Sequence, residues 1–296
     1  MNKYAFLLTV LLLLGCKSTQ TVVVVSNQLP TDIHQLTYPL PVQPAISAHR
    51  GGKYIDSYPE NCLETFQYIT KDYVMIIECD VAQTADGTLI LMHDNSIDRT
   101  TASTGKVANL PYSEIQNLTL LDHNGKATPY RIPTLEKVLQ WAEGRAILSL
   151  DIKRTVDREK LLNLLKANGA DTYSEIITYN YESAVYYAEN APEYRLSVGI
   201  RNEEELQNYL QSDIAKSSLK PFVGTRRKDK AFYDRLHDMG LVVTLGTLGN
   251  IDQQAQAKGY QIYDTLVQQG VDVFATDYPL EVAKYYYGNK QSSGLK

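Results

Sequence analysis

Glu78, Asp80 and His93 lie in one stretch, IIECDVAQTADGTLILMHD, in which two strand-like segments flank the turn dipeptide Asp86-Gly87. If Asp86-Gly87 makes a two-residue hairpin turn, as that dipeptide favours, Asp80 faces His93. A four-residue loop over 84–87 puts Glu78 opposite His93 instead. Side chains alternate along a strand, so in either register the three share one face, with directly paired side chains about 5 Å apart. Only a loop of odd length separates them. Carboxylates are rarely buried without partners, so such a group points to metal binding or proton transfer rather than core filling. The bland alternative is a solvated polar face on an edge hairpin.

Further charged residues stand at comparable places. His49-Arg50-Gly51-Gly52 closes the apolar run that starts at Ile46, and its glycines would let backbone approach a ligand closely, although turn chemistry alone also accounts for them. Asp151 and Lys153 lie on one face of ILSLDIK, an otherwise apolar strand, where buried charge needs a partner or a function. Together these residues supply the carboxylates Glu78, Asp80 and Asp151, the histidines His49 and His93, and the cations Arg50 and Lys153. A carboxylate set without a thiolate suits a hard cation such as Ca²⁺ or Mg²⁺ rather than Zn²⁺. Paired histidines can act as general base and general acid in one displacement. Arginine and lysine beside a metal would hold an anion and stabilise the charge that builds on it. These requirements fit cleavage of a phosphodiester.

From residue 45 onward, short apolar runs alternate with helical patterns, which is the signature of a parallel β/α domain. Strands are expected at 46–49, 74–81, 89–93, 146–153, 175–179, 195–200, 222–225, 241–245 and 271–276. If the 89–93 run returns antiparallel beside 74–81, the other eight close a (β/α)8 TIM barrel of the α/β class, with active residues at the C-terminal strand ends. Helices are expected at 61–70, 135–143, 157–167 and 181–190, with Gly144 and Gly169 at C-terminal caps. Residues 95–133 break the rhythm, with one short helical pattern at 112–118, and read as a small insertion after the second barrel strand's hairpin that could lid the site.

The 296 residues suit one large barrel, which typically takes about 250. With 44% hydrophobic residues the chain can bury a core, and a net charge of −5 argues against nucleic acid as a partner. No obligate protein partner is evident. Residues 1–15 read as a lipoprotein signal peptide: the apolar run 4–14 is too short to span a bilayer and ends in Leu13-Leu14-Gly15-Cys16. Cys16 is then the lipidated residue, and the location is the bacterial cell envelope, membrane-anchored on the periplasmic or surface side. Residues 16–40 read as a tether, 41–288 as the barrel domain and 289–296 as a tail. The run 22–25 could instead pack on the domain. Cys62 and Cys79 read as buried small hydrophobes; a disulfide between them has no sequence support. His34, His123 and His237 read as structural or surface residues, and Trp141 as part of a core stripe with Leu135, Val138 and Leu139.

The motifs, taken in order, resemble the glycerophosphodiester phosphodiesterases. They are SAHRGG at 47–52, PENCLETF at 59–66, ECDV at 78–81, LMHD at 91–94, DRTTASTGKV at 98–107, IPTLEKVL at 132–139, LDIK at 150–153 and ATDYP at 275–279. The resemblance implies a (β/α)8 barrel and divalent-metal-dependent hydrolysis of glycerophosphodiesters to sn-glycerol 3-phosphate and an alcohol. It implies His49 and His93 as the acid/base pair, Glu78, Asp80 and Asp151 as metal ligands, and Arg50 and Lys153 as phosphate contacts. In such enzymes the substrate's glycerol 2-hydroxyl is the first nucleophile, forming a cyclic phosphate that water opens. Glu60 and Asn61 match the PEN motif and are expected to support the site from behind. This chain departs from the family pattern at Asp151, where glutamate is usual, and in 241–250, LVVTLGTLGN, which lacks a frequent tryptophan. Two other readings remain: a phospholipase-like phosphodiesterase acting on intact lipids or glycerophosphoinositol, and a non-catalytic binding lipoprotein on a degenerate barrel.

Overall fold

The computed structural model describes residues 29–41 and 44–288. The expected signal peptide, Cys16, the first part of the tether and the 289–296 tail lie outside the described residues. Strands run β1 (Ala45–Ala48), β2 (Ile76–Gln83), β3 (Leu89–Leu91), β4 (Thr119–Leu121), β5 (Ala127–Arg131), β6 (Ile147–Ile152), β7 (Ser174–Thr178), β8 (Arg195–Gly199), β9 (Leu219–Phe222), β10 (Thr244–Gly246) and β11 (Val273–Thr276). Helices run α1 (Leu63–Ile69), α2 (Tyr112–Ile115), α3 (Leu135–Ala142), α4 (Arg158–Ala167), α5 (Tyr181–Asn190), α6 (Glu203–Leu210), α7 (Lys230–Asp238), α8 (Asn250–Lys258), α9 (Gln261–Gln269) and α10 (Pro279–Tyr287). Parallel pairing follows the order β1-β11-β10-β9-β8-β7-β6-β2, and β1 pairs again with β2 through Ser47 and Ile76, which closes the eight-stranded barrel. β3 returns antiparallel on the extended end of β2, as expected.

Period-two alternation sorts each strand's residues between two environments. Outward residues such as Cys79, Val81, Leu148 and Leu150 meet the apolar faces of the surrounding helices in one continuous core. Trp141 packs on that core with its ring 6.3 Å from Phe66, and Cys62 and Cys79 are buried free thiols. Helix starts are fixed by side-chain caps: Asp157 accepts from the backbone of Glu159 and Lys160, Asn180 from Ser183 and Asn202 from Glu205. Inward positions carry small polar residues, Ser47, Ser149 and Ser197, where barrels usually stack branched hydrocarbon. The upper interior is therefore open.

Two expectations need correcting. The end of the presumed tether is not a tether: Leu29, Ile33, Leu36 and Leu40 are buried against Ala45, Ile76, Ile147, Val242 and Val273, closing the barrel floor. Apolar residues at that spacing exclude water from the strand N-termini, worth about 1.5–3 kcal/mol per fully buried side chain. The insertion 95–133 is not a lid either. It builds a small core of its own from Ile97, Val107, Ile115, Leu120 and Ile132 against Ile90 and Met92, and adds the β4–β5 hairpin. Its tip rests on the loop after β1, where Asn124 donates to Asp56 at 3.0 Å and Ser57 donates its backbone N–H to Asp122 at 3.1 Å. None of its residues lines the central cavity.

Candidate active site

A cavity of about 600 Å³ opens at the C-terminal ends of the strands and is lined on one side by His49, Glu78, Asp80, His93 and Asp151. Sequence reasoning placed these five together, but for His93 the reason was wrong. The hairpin register pairs Val81 with Leu91 and Gln83 with Leu89, so the loop is of odd length. Strand alternation alone would then turn His93 away from Glu78 and Asp80. It does not, because β3 ends at Leu91 and the chain leaves the strand before His93. Ile90 and Met92 pack into the insertion core, and His93, beyond the end of the strand, lines the cavity.

Behind β1 the chain makes a tight 3-10 turn, His49–Gly51, with Arg50 in the left-handed region at φ 53° and ψ 25°. That conformation costs a non-glycine residue about 1–3 kcal/mol, and here it aims the Arg50 backbone N–H at Glu78 Oε2, 2.7 Å away. Gly51 serves packing and not ligand approach, since a Cβ there would lie 2.0 Å from the Phe66 ring. The Arg50 guanidinium points away from the cavity lining and donates to Glu60 at 3.0 Å; its Nε is buried without a hydrogen-bond partner.

Asp80 is held on both sides. Asn61 donates through Nδ2 to Asp80 Oδ2 at 2.7 Å and accepts the Asp80 backbone N–H at 2.9 Å, while Lys153 Nζ donates to Asp80 Oδ1 at 2.6 Å and to Asp151 Oδ2 at 2.8 Å. Burial raises the Asp80 carboxyl, but the charge and hydrogen bond of Lys153 and the bond from Asn61 bring it below the usual carboxylate range. Glu78 goes the other way: burial, then the negative charge of Asp80 and Asp151, pushes it well above that range. Asp151 is also raised, chiefly by burial, with Lys153 opposing.

Oxygens of Glu78, Asp80 and Asp151 approach within 4.8 Å of one another, and Asp151 Oδ1 is buried with no hydrogen-bond partner. Crowded carboxylates with an unsatisfied oxygen and no sulfur donor fit a hard divalent cation.

Each histidine is backed by a carboxylate that sequence reasoning gave no role. His49 Nδ1 lies 2.6 Å from Asp277 Oδ1, and His93 Nδ1 lies 2.6 Å from Asp94 Oδ1. The bond from Arg99, and then that to His93, pulls the Asp94 carboxyl down to about 2. Arg99 also grips Glu60 at 2.7 and 3.0 Å, so Glu60 joins Arg50 to the His93 side of the site. Deeper in the barrel, Glu175 accepts from Ser149 and from Lys220, both at 2.7 Å. One signal was available for Asp277, which directly follows β11 as His49 follows β1. His34, His123 and His237 do not line the cavity.

Comparison with known proteins agrees with this geometry. Residues 49–281 match the glycerophosphoryl diester phosphodiesterase family. A crystal structure of a glycerophosphoryl diester phosphodiesterase from Parabacteroides distasonis is 34% identical with a TM-score of 0.76, covering 82% of this chain and 85% of that one. An Oleispira antarctica phosphodiesterase in complex with the product sn-glycerol-3-phosphate shares the fold at 19% identity and a TM-score of 0.64, over 82% of this chain and 96% of that one. An uncharacterized Bacillus subtilis protein, YqiK, is 30% identical over 154 residues, 50% of this chain. The match covers less than two thirds of such relatives, 63% of YqiK and 34% of mouse glycerophosphodiester phosphodiesterase 1.

Proposed function

Because the chain belongs to the glycerophosphoryl diester phosphodiesterase family, we propose that it hydrolyses glycerophosphodiesters to sn-glycerol 3-phosphate and an alcohol. The observation that carries this reading is the meeting in one cavity of two carboxylate-backed histidines and a carboxylate cluster. The family match and the relative with bound sn-glycerol-3-phosphate support the substrate class.

Asp277 and Asp94 accept from Nδ1 of His49 and His93, which leaves Nε2 of each ring for proton transfer. One histidine takes the proton of the glycerol 2-hydroxyl as its oxygen attacks phosphorus, and the other gives a proton to the departing alkoxide. The product is a cyclic phosphate. The two then exchange roles as water opens the ring. Holding the hydroxyl beside the phosphate makes this attack intramolecular, which removes the need for a serine or cysteine nucleophile.

Glu78, Asp80 and Asp151 would hold a divalent cation, Ca²⁺ or Mg²⁺, which when bound neutralises charge on the phosphoryl oxygens. Lys153 stays cationic despite its burial because Asp80 and Asp151 raise its pKa, and it adds positive charge next to the same oxygens. Arg50, expected as a phosphate contact, instead sets its charge behind the site, with Nε 3.8 Å from Asp80 Oδ2 and the guanidinium on Glu60. The shorter side chain of Asp151 sets its carboxylate further back than glutamate would. Leu13-Leu14-Gly15-Cys16 supports lipidation at Cys16 and an envelope location.

The test is a hydrolysis screen over several glycerophosphodiesters, with chelator and with Ca²⁺ or Mg²⁺ restored. Release of sn-glycerol 3-phosphate that stops with chelator and returns with cation is expected. No release under any condition would overturn the proposal.

A further inference from the structure

The wall opposite the carboxylates has the reverse charge. Arg201, two residues past β8, and Arg226 and Lys228, in the loop after β9, line the same cavity. The one carboxylate lining that side, Glu175, is buried against Lys220 at 2.7 Å. Arg201 is held in place: Glu205 accepts its backbone N–H at 2.6 Å, its Nε at 3.0 Å and one terminal nitrogen at 2.5 Å. The stem of Arg201 runs alongside Gly224, 3.5 Å from where a Cβ on it would stand, an ordinary contact distance. Lys228 shares the charge of Glu205 with Arg201 from beyond ion-pair distance, and Arg226 forms no ion pair among the described residues. The far wall therefore carries positive charge in excess of its partners.

Resting on the activity proposed above, we propose that this wall is a subsite for a second phosphate on the alcohol half of the substrate. The Glu78, Asp80 and Asp151 side takes the scissile phosphate, and the cavity runs from there without interruption to Arg201, Arg226 and Lys228. Guanidinium and ammonium groups facing a partly enclosed cavity attract phosphate through charge-assisted hydrogen bonds. They also repel a choline or ethanolamine cation. Quaternary ammonium groups are held by aromatic cages, and the aromatic side chains lining this cavity are Tyr179 and Phe222, without a tryptophan. The substrate class is a glycerophosphodiester whose alcohol is itself phosphorylated.

The probes are glycerophosphocholine, glycerophosphoinositol and glycerophosphoinositol 4-phosphate, the last two differing by one phosphate. The added phosphate is expected to raise kcat/KM on the order of tenfold at low salt, the worth of one charge-assisted hydrogen bond, and less at high salt. The double variant Arg226→Glu, Lys228→Glu is expected to abolish or reverse that ratio. Equal kcat/KM for the inositol pair, a preference for glycerophosphocholine, or a ratio unchanged in the variant would each overturn the subsite while leaving the phosphodiesterase reading intact. Failure to hydrolyse any of the three would overturn both. The comparison within the wild-type protein decides the question even where the variant does not fold.

Discussion

Neighbouring strands β2 and β6 place Ile76 beside Ile147 at the floor of the barrel, Glu78 beside Ser149 in the middle and Asp80 beside Asp151 at the mouth. One alternation, read along the same face of two strands, passes from hydrocarbon to charge. At the floor, Ile33 and Leu36 complete an apolar seal. At the mouth, burial and the charges of Asp80 and Asp151 raise the Glu78 carboxyl, and an oxygen of Asp151 is buried without a hydrogen-bond partner. The contrast teaches that stability is drawn from one end and spent at the other: the floor and the outer core hold rigid strands that keep mutually repelling groups in place.

Breaking the mouth should abolish turnover and leave the fold. His49→Ala and His93→Ala are each expected to lower kcat/KM by on the order of 10²–10⁴-fold with little change in melting temperature. Normal turnover in both variants would remove their assigned roles. A smaller effect is expected from Asp277→Asn, which keeps the shape but weakens the grip on His49 Nδ1. The loss should be on the order of 10–100-fold, as for other groups that orient a catalytic side chain, with a changed pH profile and KM nearly constant. An unaltered pH profile would mean that Asp277 only fills space.

Breaking the floor should give the converse. Ile33→Ala is expected to cost about 2–5 kcal/mol in denaturant unfolding while kcat stays within twofold or so below the transition. A large loss of kcat in the still-folded protein would show that floor and mouth are coupled. Smallest for catalysis is Cys16→Ser, which should leave kcat/KM of the detergent-solubilised protein unchanged while moving it from the membrane to the soluble fraction. Retention in the membrane would exclude the lipid anchor.

Much of this contrast could be read in the chain. Apolar runs alternating with helical patterns implied the barrel, and charges within ILSLDIK marked Asp151 and Lys153 as special. Other parts were hidden for identifiable reasons. The hairpin argument assumed a strand that continues to His93, whereas the strand ends at Leu91 and Met92 packs in the insertion core, which depends on the fold of residues far along the chain. β9 was expected at 222–225 and lies at Leu219–Phe222, where a lysine and a proline interrupt the apolar pattern. Lys220 is buried in a strand only because Glu175, distant in sequence, neutralises it. The seal at Leu29, Ile33, Leu36 and Leu40 was read as tether because the segment from residue 17 is rich in Ser, Thr, Gln and Val. Its apolar spacing becomes meaningful only against a barrel end that must exclude water. Asp94 and Arg99 were legible as motif residues, but their links to His93 and Glu60 depend on the fold.

The central claim is that the crowded carboxylates at the mouth form a cation site, and thermal unfolding with and without Ca²⁺ or Mg²⁺ tests it most directly. A cation at a hundredfold excess over its Kd should stabilise the wild-type protein by about 2.7 kcal/mol, raising its melting temperature. The double variant Glu78→Gln, Asp151→Asn should show no such rise. Absence of a rise in the wild-type protein, or an equal rise in both proteins, would contradict the account.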